Sequence, residues 1–193
     1  MKLNIFFGIL ILLISCKSNT SHKNVLANKD GVVPALNPVS ITVTDPAQFP
    51  YAIAVKDLHQ QSKQSADILQ KEGKPTVLMF WLTTCNPCAK EIRAIHANFE
   101  QWQKVVPFHL VAMSEDREEN FNAILERTRT EQWPFETYWD FNRNFGALMP
   151  GNLNGLPQTF IFDKNGKLTW SKRGYLPGDE SVFFEKIKEA ARS

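Results

Sequence analysis

Two cysteines, Cys85 and Cys88, stand two residues apart in the string Phe80-Trp81-Leu82-Thr83-Thr84-Cys85-Asn86-Pro87-Cys88. Thiols at this spacing can close a disulfide across one helical turn and reopen it by exchange with another protein's cysteines. The same pair could be a static staple or half of a metal site. Structural zinc calls for four Cys or His ligands, commonly as two paired motifs. The sequence has no second cysteine pair; His96 is the nearest histidine, and His59 and His109 fall in unrelated segments. Copper(I) favours soft thiolates, so the pair alone could bind it.

The third cysteine belongs to a different kind of segment. Met1-Lys2 precedes an apolar run from Leu3 to Ile14 that ends in Ser15-Cys16. The run is too short for a membrane-spanning helix of about 20 residues and fits a secretory signal. Leu13-Ile14-Ser15-Cys16 resembles a bacterial lipobox, which makes Cys16 the lipidated first residue of the mature protein. An ordinary signal peptide and an uncleaved anchor are the alternatives, and each places the domain outside the cytoplasm, where disulfides persist. With Cys16 carrying lipid, Cys85 and Cys88 are the only thiols left. The expected organisation is a signal over residues 1–15, a tether rich in Ser, Asn and Pro over 16–50, and one domain over 51–193. The net charge of +2, with no basic stripe, gives no sign of a nucleic-acid partner.

Elements must hold the pair in place. Thr76 to Leu82 is almost wholly apolar, as in a strand covered on both faces. Beyond it, Cys88, Ile92, Ile95, Phe99 and Trp102 recur at helical spacing. The pair thus sits where a strand runs into a helix, with Cys88 on the buried stripe. Ile53 to Val55 reads as a short strand and Ser65 to Lys71 as a helical turn or two. Phe108 to Met113 is a second buried strand, and Glu118 to Arg129 a second amphipathic helix. Trp133, Pro134, Phe135, Tyr138 and Trp139 read as core, with Trp139 or Phe141 as possible groove residues. Phe160 to Phe162 and Lys167 to Trp170 flank Asn165-Gly166, whose positive φ angles suit a tight hairpin. A last helix covers Glu180 to Ala191, with Phe183, Phe184, Ile187 and Ala191 apolar. Strand–helix alternation followed by an antiparallel pair implies an α/β fold: a central mixed sheet with helices on both faces.

This order, with Cys-x-x-Cys at the first strand–helix junction, resembles the thioredoxin fold, and within it the TlpA/ResA-like thiol-disulfide oxidoreductases. Two strings carry the resemblance: Phe80-Trp81-Leu82-Thr83-Thr84-Cys85-Asn86-Pro87-Cys88-Ala89-Lys90-Glu91, and Gly155-Leu156-Pro157-Gln158-Thr159-Phe160-Ile161-Phe162-Asp163-Lys164-Asn165-Gly166. It spans roughly residues 50 to 190. Thr84 stands where these proteins usually have Trp, removing an aromatic wall beside the pair. The stretch 144–155 is longer than the usual link into Gly-x-Pro.

The resemblance implies that Cys85 attacks and Cys88 resolves. A helix N-terminus favours the thiolate, lowering a free value of about 8.5 toward about 7 in thioredoxin. Pro87 suits the first helical turn. Pro157 is expected to be cis and to pack against the pair, with the main chain of Leu156 pairing to a client peptide as an added strand. Glu91, one turn beyond Cys88, is either a proton carrier for that thiol or a solvated helix residue. No cofactor or metal is implied. The implied partners are disulfide-containing exported proteins, including apocytochrome c before haem attachment, and a membrane electron-transfer protein that re-reduces the pair. Two competing functions are weighed. A peroxiredoxin-type peroxidase would need Thr and Pro where Leu82 and Leu78 stand. A copper carrier or adaptor of this fold would usually show Cys-x-x-x-Cys, one residue longer than here.

Overall fold

The computed structural model describes residues 53–69 and 73–193. The expectations for the signal segment, the tether and Cys16 lie outside the described residues. β1 (Ala54–Lys56) and β2 (Ser62–Gln64) form a short antiparallel pair leading into α1 (Ser65–Leu69). Then come β3 (Thr76–Trp81), α2 (Asn86–Val105) and β4 (His109–Ser114). A 3-10 turn (Glu118–Asn120) opens α3 (Phe121–Glu131), followed by β5 (Glu136–Trp139) and α4 (Phe145–Leu148). β6 (Gln158–Phe162), β7 (Leu168–Arg173) and α5 (Asp179–Arg192) complete the chain.

The strands form one mixed sheet in the order β2-β1-β5-β4-β3-β6-β7. The central β3, β4 and β5 are parallel, and the flanking strands run antiparallel to their neighbours. Because side chains alternate along a strand, β3 sends Val77, Met79 and Trp81 to one face and Leu78 and Phe80 to the other. The first face packs against α2, α3 and α5, the second against α1 and α4. This is the expected layering. On α2, Cys88, Ile92, Ile95 and Trp102 are buried and Phe99 half-buried. Each fully buried aliphatic side chain contributes about 1.5–3 kcal/mol, so this stripe clamps the helix that carries the pair. Trp102 stacks on Phe184 of α5 with ring centres 4.9 Å apart.

Parallel strands gather whatever follows their C-terminal ends at one edge of the sheet. Trp81 is in register with Ser114, and Ser114 with Trp139. The turn before Cys85, the pair Glu115-Asp116 and Asp140 therefore meet. Three local details differ from expectation. The aromatic segment after α3 contains the strand β5, with Thr137 and Trp139 inward. The hairpin is not a two-residue Asn-Gly turn. Only Gly166 takes a positive φ (79°), while Asp163 Oδ1 accepts from the N–H groups of Asn165 and Lys167 and holds a wider loop. On α5, Ala190 is buried, whereas Ala191 is half-buried.

Candidate active site

Cys85 is the N-cap of α2 and Pro87 lies in its first turn. Pro is tolerated there because no intrahelical partner awaits its missing N–H. Cys85 and Cys88 are joined by a disulfide with Cα atoms 5.2 Å apart. The Cys88 N–H donates to Cys85 Sγ at 3.2 Å, so the sulfur occupies the capping position a serine oxygen would fill. Cys85 is half-buried and Cys88 fully buried, which leaves one sulfur reachable from outside. The turn before them is clamped. Asp116 Oδ2 accepts from the Thr83 N–H and Oδ1 from the Thr83 hydroxyl, at 2.8 and 2.7 Å. Asp116 Oδ2 also accepts from Ser114 Oγ at 2.8 Å, and its carbonyl accepts from Trp139 Nε1 at 2.7 Å.

A cavity of about 570 Å³ opens beside Cys85, lined by Leu82, Thr84, Glu115, Arg143, Leu153 and Leu156 among others. The Leu156–Pro157 peptide bond is cis. Pro157 is buried, its carbonyl accepting from the Gly174 N–H at 2.8 Å. Among the described residues no hydrogen bond reaches the main chain of Leu156. Pro87 is exposed on the first turn of α2. The cavity thus gathers Cys85, Leu156 and Glu115, while Cys88 and Glu91 lie beneath the surface. Trp139 is buried in the core and Phe141 packs against it, so neither lines this cavity. Met149 is likewise buried, in the second core cluster.

Two buried acids bear on proton transfer. Glu91 is 8% exposed, and Thr159 Oγ1 donates to its Oε1 at 3.2 Å. Burial pushes its carboxyl up to about 7, against the Thr159 hydrogen bond and the nearby Lys172 cation, which favour the charged form. Glu91 is therefore a buried group rather than a solvated helix residue, and it lies one turn along the same helix from Cys88. Glu115, unremarked in the sequence, is pushed up to about 8 by burial first and then by the charge of Asp140. Burial also raises Asp140, whose carboxylate accepts from the Phe145 N–H at 2.8 Å. Both acids are thus held above their ordinary values, while the nearby Arg143 cation favours the charged form of each. The Arg143 Nε–H anchors the Glu115 carbonyl at 2.9 Å. Nothing in residue spacing marks Glu115, Arg143 or Thr159. Only their positions beside the C-terminal ends of β4 and β5 and at the start of β6 could have signalled them.

Among the described residues no group of three or more His, Cys, Asp or Glu is arranged to hold a metal ion. Leu82, at the position where a peroxidase would need Thr, lines the cavity, and Leu78, where it would need Pro, is buried in β3.

A Cys-x-x-Cys pair at the start of a helix, fed by the central parallel strand and faced by a cis-proline loop, defines a class. It is the TlpA/ResA-like thiol-disulfide oxidoreductases of the thioredoxin superfamily. Residues 43–171 match the AhpC/TSA family, and the chain belongs to it. A relative named thiol-disulfide oxidoreductase ResA, from Bacillus cereus, is 25% identical over 190 residues, covering 97% of this chain and 92% of that protein. The solution structure of an uncharacterised thioredoxin-like protein from Porphyromonas gingivalis is 30% identical, with a TM-score of 0.64, covering 73% of this chain and 90% of that one. A thiol:disulfide interchange protein of the thioredoxin family from Chlorobium tepidum shares the fold at 20% identity and a TM-score of 0.56, covering 73% of this chain and 95% of that one.

Proposed function

We propose that this oxidoreductase works outside the cytoplasm as a reductase of exported proteins, tethered to a bacterial membrane by lipid on Cys16. The observation that carries the direction-neutral chemistry is the asymmetry of the pair: Cys85 caps the helix beside an open cavity and Cys88 is buried beneath it. In the reducing direction the Cys85 thiolate attacks one sulfur of a client disulfide, and the first client sulfur leaves as a thiolate. Cys88 gives up its proton, with Glu91 as the buried acceptor, and attacks Cys85 Sγ, releasing the second client thiolate. The pair ends oxidised and the client gains two electrons. Leu156 offers its free main chain to the client as a strand partner, Pro157 holds that loop, and Pro87 sets the first turn of α2. A membrane electron-transfer protein returns the electrons. Apocytochrome c before haem attachment is one client this reading allows.

The test is a trap and a potential. With Cys88→Ala, clients accumulate as mixed disulfides on Cys85, and cells that yield none refute the reductase role. A reduction potential near about −270 mV fits a reductase, whereas one near about −120 mV overturns that direction.

A further inference from the structure

We propose that Lys172 and Asp179 are positioning residues for the proton step: from a cleft of their own they set how readily Glu91 takes the Cys88 proton. The inference rests on the reading of Glu91 as the acceptor of that proton. Glu91 does not line the cavity beside Cys85. It lines a separate cleft between β7, the turn after it and α5, with a volume of about 10 Å³, room for roughly one water. The two spaces share no lining residue, so a client seated at Cys85 leaves the cleft open. Trp170 and Phe183, edge to face with ring centres 6.2 Å apart, form its apolar wall. Lys172, Tyr175, Asp179 and Glu180 supply the polar side.

The polar groups differ in what they do to Glu91. The Tyr175 hydroxyl donates to Glu180 Oε2 at 2.7 Å, which commits both to each other. Lys172 pairs with Asp179, whose carboxylate also accepts from the Leu176 N–H at 2.6 Å. Glu91 accepts from Thr159 through Oε1, while its Oε2 is buried with no hydrogen-bond partner among the described residues. Burial raises the Glu91 carboxyl; the Thr159 hydrogen bond and the Lys172 cation pull it back, and the Asp179 charge adds to the rise. In the proton step Cys88 S–H gives its proton to a charged Glu91. The Cys88 sulfur then bonds to Cys85 Sγ, the Cys85–client bond breaks with its electron pair on the client sulfur, and Glu91 ends neutral. Lys172 favours the charged acceptor before the transfer, and Asp179 the neutral product after it. Their ion pair balances the two.

The test is a carbon-13 NMR titration of the glutamate carboxyls in the oxidised protein, with the Glu91 signal identified by its loss in Glu91→Gln. Lys172→Met should raise the Glu91 midpoint by about one on the pH scale, the order a neighbouring opposite charge produces. Asp179→Asn should lower it, and Lys172→Arg should restore the wild-type value. A purely structural role would not move the two neutral variants in opposite directions. Asp179→Asn decides the matter if Lys172→Met does not fold. Midpoints that move the same way in both, or in neither, overturn the proposal. The rate readout uses the reduced protein with dithiobis-nitrobenzoate, which releases one coloured thiolate when Cys85 attacks and a second when Cys88 resolves. The pH profile of the second release should follow the NMR midpoints, upward in Lys172→Met and downward in Asp179→Asn. If the carboxyl midpoints move as stated while the second release keeps its profile in these variants and in Glu91→Gln, Glu91 is not the proton acceptor. That outcome sinks the reading beneath the inference and leaves the action of Lys172 and Asp179 on Glu91 standing.

Discussion

Glu91→Gln should make the protein more stable, but only where Glu91 would ionise. The folded carboxyl titrates at about 7 against an ordinary 4.5. Holding it charged in its buried site therefore costs about 3 kcal/mol, at 1.36 kcal/mol for each pH unit. Below about pH 4.5 the group is protonated in both folded and unfolded chains, and the penalty is absent. Between about 4.5 and 7 the unfolded chain gives up the proton while the folded chain keeps it, so stability falls as pH rises; above 7 the full penalty remains. Glutamine removes the titration and still accepts the Thr159 hydroxyl through its own Oε1. Urea unfolding of the oxidised proteins, from about pH 4 to about pH 8, measures the effect. The difference, variant minus wild type, should be near zero at the acid end and reach about 3 kcal/mol at the alkaline end. Glu115 titrates in the same sense but is present in both proteins, so it cancels. A difference that is flat with pH would refute the assignment of a buried, proton-holding Glu91.

Two further substitutions probe what supports the pair. Asp116→Ala strips the acceptor from the Thr83 N–H, the Thr83 hydroxyl and Ser114 Oγ. It should cost about 3 kcal/mol or more in denaturant unfolding, since hydrogen bonds to a buried charge are each worth about 1.5–3 kcal/mol; a loss below about 1 kcal/mol would show that the clamp does not matter. Phe80→Ala empties a fully buried site packed edge-to-face on Phe145 and Phe160. Thermal and urea unfolding should show a loss of about 3–5 kcal/mol, and a neutral variant would contradict the second core layer.

The layering was legible because the apolar code was strong. The unbroken apolar run of β3 reads as a buried strand, and the helical spacing from Cys88 to Trp102 puts one cysteine inside. The Gly155-Leu156-Pro157 string pointed to the cis bond through its resemblance. Short polar elements were not legible. Ser62-Lys63-Gln64 has no buried face to announce β2; the turn before it is closed by Asp57, whose Oδ1 accepts from the N–H groups of His59 and Gln61. β5 was hidden because its aromatic side chains suggest core without fixing backbone shape. The acids around the site were missed for a different reason. Nothing in the spacing of Ser114-Glu115-Asp116 marks it as buried; the parallel register of β3, β4 and β5 closes it against Thr83 and Asp140.

Among the described residues, the ends of the sheet carry a consequence for a thiol-disulfide oxidoreductase. An open strand edge is a template for any passing polypeptide. Here one boundary is β2, three residues long with Lys63 at its centre, and the other is β7, which ends in Lys172 and Arg173. A short strand at one side, and at the other the Arg173 cation and the Lys172–Asp179 ion pair, discourage backbone-to-backbone adhesion. Contact with other chains is thereby directed to the half-buried sulfur of Cys85 rather than to the flanks of the sheet.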